Sequence, residues 1–148
     1  LLVNIIGRAF FNESFNDPFA VLEELFSHQK ADMIIVDHHA EATSEKMIMG
    51  HWLDGKVQAV IGTHTHVPTA DAMILPKGTA YITDVGMVGP LHSSIGGDLE
   101  TFLQAARNQL PVSYKVGKGD VIFSAVLLKF DKGGKVKEIN LIKEILKK

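Results

Sequence analysis

Four histidines in two short stretches could act together on one chemistry. The stretch GTHTHVPTAD carries His64 and His66, and the stretch IIVDHHAEATSEK carries His38 and His39. Each stretch begins at or just after an apolar run that predicts a buried strand, so the histidines fall where strands end. Neutral imidazole is a good ligand for zinc, iron, manganese or nickel. The pattern therefore indicates a metal site.

Four acidic side chains near these stretches are candidate partners for the rings. The second ring nitrogen of a metal-binding histidine commonly donates to a carboxylate or a carbonyl. Such carboxylates are offered by Asp37, Glu41, Asp71 and Asp84.

Other histidines have ordinary structural interpretations. His28 ends a predicted helix and His51 lies in the middle of another, so neither is assigned to a site. His92 lies in a glycine-rich loop, and its role stays open.

Strands and helices alternate in the part of the chain that must position these residues. Strands are predicted at LLVNIIG, DMIIVD and VQAVIG. In a layered α/β fold the carboxyl ends of parallel strands share one edge, where sites assemble. We therefore expect His39, His64 and His66 to cluster at a common edge, with their ring nitrogens around one metal-sized space. His38 should point away from it, because successive residues of a strand alternate faces.

Three helices are predicted from apolar spacing and capping residues. The first starts at Asp17-Pro18 and the third is capped by Asp98. The second, in EATSEKMIMGHWLDGK, has Met47, Ile48 and Trp52 as its predicted apolar stripe.

The rest of the chain is predicted to form mainly strands. AMILPKGTAYITD indicates two short strands around a turn, and VSYKV, GDVIFSAVLLKFD and KVKEINLIKEI indicate three more. No repeat or linker interrupts the chain, which favours one domain or part of one.

Composition excludes several classes of protein. The 148 residues have a net charge of −2 and no basic cluster, which argues against nucleic-acid binding. No apolar stretch approaches the ~20 residues of a membrane span. Cysteine is absent, so any metal site must use nitrogen and oxygen ligands. We expect a cytoplasmic protein that does not bind membranes.

Three stretches in this order and spacing carry a family resemblance. VDHHAEATSEK, GTHTHVPTAD and ILPKGTAYITDVGMVGP resemble the C-terminal half of the YmdB-like metallophosphoesterases, which belong to the calcineurin-like superfamily. That family includes bacterial 2′,3′-cyclic-nucleotide phosphodiesterases. The resemblance implies an α/β fold that is part of a four-layer α/β/β/α sandwich. It also implies two metal ions, usually iron or manganese, and a phosphodiester or cyclic-nucleotide substrate.

The resemblance also implies roles for particular residues. His39 and His64 match ligands of one metal, and His66 matches a ligand of the other. Two such ions activate a hydroxide for in-line attack on phosphorus and clamp the phosphoryl oxygens. The family's general acid and its remaining ligands have no match here, so the catalytic acid is unknown.

The chain opens inside an apolar run, LLVNIIGRAFF, which predicts a central strand without its neighbours. We therefore expect residues 1–148 to be a single domain that is the C-terminal half of a larger metallophosphoesterase domain. On this interpretation the complete protein is a phosphoric diester hydrolase, and this chain alone is inactive. We also expect homo-oligomers or association with an N-terminal half.

Two alternatives remain at this stage. VDHH imitates the DHH-type manganese phosphoesterases, in which Asp37, His38 and His39 would approach the metal together. The close spacing of GTHTHVPTAD does not fit that layout. The other alternative is a non-catalytic metal-binding module.

Overall fold

A five-stranded sheet forms the centre of the computed structural model, which describes all 148 residues. Its strands lie in the order β1-β2-β3-β5-β4, parallel except for β4. The strands are β1 (Leu2–Ile6), β2 (Ile35–His39), β3 (Ala59–Thr63), β4 (Met73–Ile74) and β5 (Ala80–Ile82). The parallel arrangement follows from the helical crossovers that join β1 to β2 and β2 to β3.

Two helices cover one face of this sheet. The helices are α1 (Pro18–His28) and α2 (Thr43–Leu53), and a third helix, α3 (Leu99–Asn108), follows later in the chain. The main core lies between the sheet and these first two helices, and includes Leu22, Val36, Met49, Leu53, Val60 and Tyr81. No helix is long and apolar enough to cross a membrane.

A three-stranded antiparallel sheet packs on the other face. It consists of β6 (Val88–Pro90), β7 (Val121–Phe130) and β8 (Val136–Leu146), with β7 in the middle. Ala59 and Ala80 of the first sheet pack against Val136 of the second. The layers are therefore helices, sheet and sheet, and the predicted α/β fold is confirmed.

Two of the helix starts are as the sequence predicts. The side chain of Asp17 accepts a hydrogen bond from the Phe19 amide, and Asp98 accepts one from the Thr101 amide. Each carboxylate thereby satisfies a backbone donor that has no partner within the helix.

Two local predictions are wrong. The buried face of α2 consists of Lys46, Met49, Gly50 and Leu53. Of the predicted stripe, Met47 and Ile48 are 46% and 59% exposed, and only Trp52 packs, partly buried, against the core. A Cβ at Gly50 would lie 2.5 Å from the Tyr81 ring, so glycine lets this face approach the sheet closely. The segment VSYKV forms no strand and makes only an isolated bridge to Gly97.

Candidate metal centre

The carboxyl ends of β2 and β3 bring two of the predicted histidines together. His39 is the last residue of β2 and is paired in register with Thr63, the last residue of β3. His64 follows directly, and its Nδ1 atom lies 3.0 Å from Nε2 of His39. The two rings meet edge to face, at an angle of 83° and with centroids 4.8 Å apart. The predicted common edge is therefore present.

Gly62 allows the end of β3 to lie close to the backbone that follows β5. A Cβ at Gly62 would lie 1.6 Å from the carbonyl oxygen of Thr83, so no other residue fits there without moving the backbone. The Gly62 carbonyl in turn accepts a hydrogen bond from the amide of Val85 at 2.9 Å.

The loop that carries the H-x-H pattern has an unusual backbone. His64 and His66 both have positive φ, 109° and 66°, a region that non-glycine residues rarely enter. Such conformations persist where the surroundings determine them, and they concentrate at functional sites. Here the Thr65 amide between the two histidines donates to Asp84 Oδ2 at 3.0 Å.

Asp84 is itself held by a buried lysine. Lys46 Nζ lies 2.6 Å from Asp84 Oδ2, and each side chain is only 1% exposed. The other carboxylate oxygen accepts from the amide of Gly86 at 2.8 Å. The pair therefore joins α2 to the histidine loop, and its charges compensate each other where water is absent.

Polar groups surround the histidine pair on both sides. His39 Nδ1 lies 3.1 Å from Thr63 Oγ1, which donates to Asp37 Oδ1 at 2.8 Å. His64 Nε2 lies 2.9 Å from Oε2 of Glu41. Of the four carboxylates predicted as partners, Glu41 contacts a ring directly and Asp37 acts through a hydroxyl.

Burial lowers the pKa of the His39 ring, and the neighbouring His64 lowers it further. Both causes disfavour the charged form. Since metal binding requires a neutral imidazole, these surroundings favour the form of His39 that can bind a metal.

His38 lies on the opposite face of β2, as the alternation predicts. It is fully buried, and neither ring nitrogen has a hydrogen-bond partner. Burial lowers the pKa of His38 from 6.5 to about 4, so the ring is neutral at pH 7. His38 is therefore a core residue and not a member of the pair.

The prediction that His66 clusters with His39 and His64 is wrong for this chain, because the His66 ring is directed at a backbone carbonyl outside the pair. The His66 Nδ1 atom lies 2.9 Å from the carbonyl oxygen of Ile95, and the residue is exposed. His28 contacts Ser27 and the Glu24 carbonyl at the end of α1, in keeping with its structural assignment.

The donor chemistry fits a metal ion, although only part of a coordination set is assembled. His39 and His64 offer two imidazoles with nitrogens directed at each other, which suits zinc, iron or manganese. No group of three or more histidine, aspartate or glutamate side chains is arranged to hold a metal ion.

Two residues of this centre were not predicted from the sequence. Thr63 could have been found by aligning the ends of the two parallel strands, which places it beside His39. Lys46 gave no such signal, because a lysine in the first half of a helix usually lies in solvent.

Comparison with known proteins places the chain in a family. Residues 1–142 match the sequence profile of the family described as "YmdB-like protein". A protein of Bacillus subtilis (strain 168), named 2′,3′-cyclic-nucleotide 2′-phosphodiesterase, is 46% identical over 132 residues, which are 88% of this chain and 50% of that protein.

Two solved structures are similar over nearly the whole chain. A hypothetical protein from Thermus thermophilus superposes with a TM-score of 0.94 at 46% identity, covering 98% of this chain and 57% of that one. A structure from Mycoplasma pneumoniae, titled a novel phosphatase, has a TM-score of 0.92 at 38% identity, covering 99% and 53%. The chain spans about half the length of the curated relatives that it matches.

Proposed function

The chain belongs to the YmdB-like family, and on that premise we propose that it contributes metal ligands to a metal-dependent phosphodiesterase. The substrate proposed is a phosphodiester such as a 2′,3′-cyclic nucleotide, the class named for the Bacillus subtilis relative. The observation that supports the proposal best is the 3.0 Å approach of His39 and His64 at the ends of adjacent strands.

Each histidine has a proposed role. His39 and His64 would hold one metal ion, and His66 a second, with iron or manganese as the proposed metals. When bound, such ions supply Lewis-acid polarisation of the phosphoryl group and a water of lowered pKa. The chain's own part is to fix the ligands: the strand ends position His39, and Asp84 holds the amide between His64 and His66.

We further propose that residues 1–148 form a single domain equivalent to part of a longer metallophosphoesterase domain. The chain matches about half of each relative, and only two imidazoles converge. A partial coordination set binds weakly, so the chain alone should bind at most one metal ion and hydrolyse phosphodiesters negligibly.

The DHH-type alternative is disfavoured by the orientation of one residue. That layout needs His38 and His39 to approach the same ion, whereas His38 lies buried on the opposite face of β2. The non-catalytic module remains the second candidate, because only two donors meet in this chain.

The proposal is tested by manganese titration together with hydrolysis of bis-p-nitrophenyl phosphate. Both measurements are made on this chain and on the longest form that its gene encodes. We expect the longest form to bind two metal ions per chain and to hydrolyse the ester. Metal binding without hydrolysis by that form would favour the non-catalytic module, and no metal binding by either form would refute the proposal.

A further inference from the structure

A chain of hydrogen bonds lies behind His39 and crosses three neighbouring strands. Asn4 Nδ2 on β1 donates to Asp37 Oδ2 at 2.8 Å. Thr63 Oγ1 at the end of β3 donates to Asp37 Oδ1, also at 2.8 Å. The same hydroxyl oxygen lies 3.1 Å from His39 Nδ1. Strand register sets these distances, because Asn4 pairs with Asp37 and Thr63 pairs with His39.

Counting hydrogens along this chain determines its direction. An ionised carboxylate can only accept, and a threonine hydroxyl has a single hydrogen to donate. Since the Thr63 hydrogen goes to Asp37, the Thr63 oxygen must accept from the histidine. His39 Nδ1 therefore carries a hydrogen. In the neutral ring, the lone pair is then on Nε2, the atom that faces His64.

We propose that Thr63 and Asp37 are positioning residues that hold His39 in its Nδ1–H tautomer and so present the Nε2 lone pair to the metal position. This inference rests on the proposed metal-binding role of His39. The opposite tautomer would direct an N–H at that position, and a protonated nitrogen cannot be a ligand.

The wild-type chain tests the tautomer directly and without any metal. Nitrogen-15 NMR of histidine-labelled, metal-free protein, at a pH well above the ordinary histidine pKa, distinguishes protonated from unprotonated ring nitrogens. The signals of His39 are assigned by their loss in His39→Gln. We expect a proton on Nδ1 and none on Nε2. A proton on Nε2 would overturn the inference.

The variant Asp37→Asn should reverse the tautomer. The Asn4 Nδ2 group donates to this side chain in the wild type, so the new asparagine would turn its oxygen to Asn4 and its NH₂ group to Thr63. The Thr63 hydroxyl would then accept from residue 37 and donate to His39 Nδ1, which moves the ring proton to Nε2. A side chain that only fills space would not reverse the proton, so an unchanged tautomer in this variant contradicts the proposal.

Substitutions of threonine provide the matched controls. Thr63→Val removes the hydroxyl and should leave His39 as a mixture of tautomers, whereas Thr63→Ser keeps the hydroxyl and should keep the wild-type state. If Thr63→Val does not fold, the wild-type spectrum and the spectrum of Asp37→Asn still test the tautomer assignment of His39.

Manganese titration of the same proteins separates this inference from the proposed function. Partners of metal ligands typically contribute about 10- to 100-fold to metal affinity, so Asp37→Asn and Thr63→Val should weaken binding by that factor. Thr63→Ser should bind as the wild type does. A wild type with the expected tautomer, in which neither this chain nor the longest form that the gene encodes binds manganese, would refute the metal role of His39 and retain the tautomer assignment. Wild-type affinity in Asp37→Asn with a reversed tautomer would show that the tautomer does not serve metal binding.

Discussion

Both ring nitrogens of His64 have a protein neighbour within hydrogen-bond distance. His39 Nε2 lies on one side at 3.0 Å and Glu41 Oε2 on the other at 2.9 Å. A metal ion must therefore replace at least one of these contacts. The ring is already oriented by them, which lowers the entropy that ordering a ligand side chain would otherwise cost.

Removing either histidine of the loop should have a distinct effect on metal binding. His64→Ala should weaken manganese binding by this chain at least about 100-fold, because it removes a direct ligand. His66→Ala should leave that binding unchanged, since His66 is directed to the Ile95 carbonyl and lies outside the pair. Both variants should abolish phosphodiesterase activity in the longest form that the gene encodes.

His28→Ala is the control for these two variants, because His28 ends α1 and contacts only its own helix. Its metal binding and its activity should equal those of the wild type. Full activity of His66→Ala, with its metal content confirmed, would refute the role assigned to His66.

His38 should make the stability of the protein depend on pH. Its folded-state pKa of about 4 lies below the unfolded value of 6.5, so the unfolded chain binds the proton first as pH falls. The pH-dependent contribution of His38 to the free energy of unfolding is therefore fully present above pH 6.5, and it declines by about 3 kcal/mol as the pH falls to 4.

Replacing His38 by phenylalanine should raise the free energy of unfolding. The change removes two buried nitrogens without partners, and each such group costs about 1–3 kcal/mol. Urea unfolding at neutral pH and at pH near 4 should show a gain at both, larger at the acidic pH. His51→Phe, the same change at an exposed position of α2, should leave the pH dependence as it is. A pH profile of His38→Phe identical to that of the wild type would contradict the burial argument.

At the scale of elements, α2 joins the core to the histidine loop through one ion pair. Lys46 contacts Asp84, and Asp84 accepts from the Thr65 amide in the turn after β3 and from the Gly86 amide in the loop after β5. The strained backbone of His64 therefore depends on Lys46, which lies 18 positions earlier in the sequence.

Lys46→Met should destabilise the protein strongly, because it leaves the carboxylate of Asp84 buried without its counter-ion. Breaking a buried pair from one side costs about 3–5 kcal/mol. The double variant Lys46→Met/Asp84→Asn should recover part of the loss, which denaturant unfolding of the wild type and both variants would measure.

Lys56→Met is the matched control for this pair. Lys56 is exposed and lies over the Trp52 ring at 3.9 Å, so its replacement should change stability by no more than about 1 kcal/mol. Equal losses of unfolding free energy in Lys46→Met and Lys56→Met would show that the buried pair does not stabilise the loop.

At the scale of the whole molecule, the edge of the first sheet is open. β1 lies at the end of the strand order, and Leu1, Leu2 and Ile6 are 45%, 74% and 37% exposed. An apolar parallel edge with unpaired backbone groups tends to recruit another strand. The chain is therefore expected to self-associate or to pair with a further part of a metallophosphoesterase domain.

Leu2→Lys should reduce that association, because a charge at an edge strand opposes pairing. Size-exclusion chromatography with light scattering over a concentration series would report the average mass. Ile48→Lys places the same charge at an apolar position of α2 that is 59% exposed, and it should associate as the wild type does. A wild type that stays monomeric throughout the series would contradict self-association through this edge.

Several features of the fold and of the site follow from local sequence patterns. The apolar runs ending at Asp37 and before His64 predicted the strands and their shared edge, and the structure has both, with β2 continuing two residues further, to His39. The alternation of faces placed His38 opposite His39, because the side-chain period of a strand is two. Capping by Asp17 and Asp98 was also predicted, since a cap depends only on residues a few positions apart.

What only the tertiary structure decided are contacts between residues distant in sequence. Local hydrophobicity favoured Met47 for the core face of α2, yet Lys46 is buried there because Asp84 offsets its charge. The contact of Glu41 with His64 and the link from His39 through Thr63 to Asp37 likewise depend on strand register and on a loop with positive φ. Sequence by itself determined that His39 and His64 lie at one edge of the sheet. The partner and direction of each ring depend on contacts that form only when the parallel strands pair, because periodicity describes one element at a time.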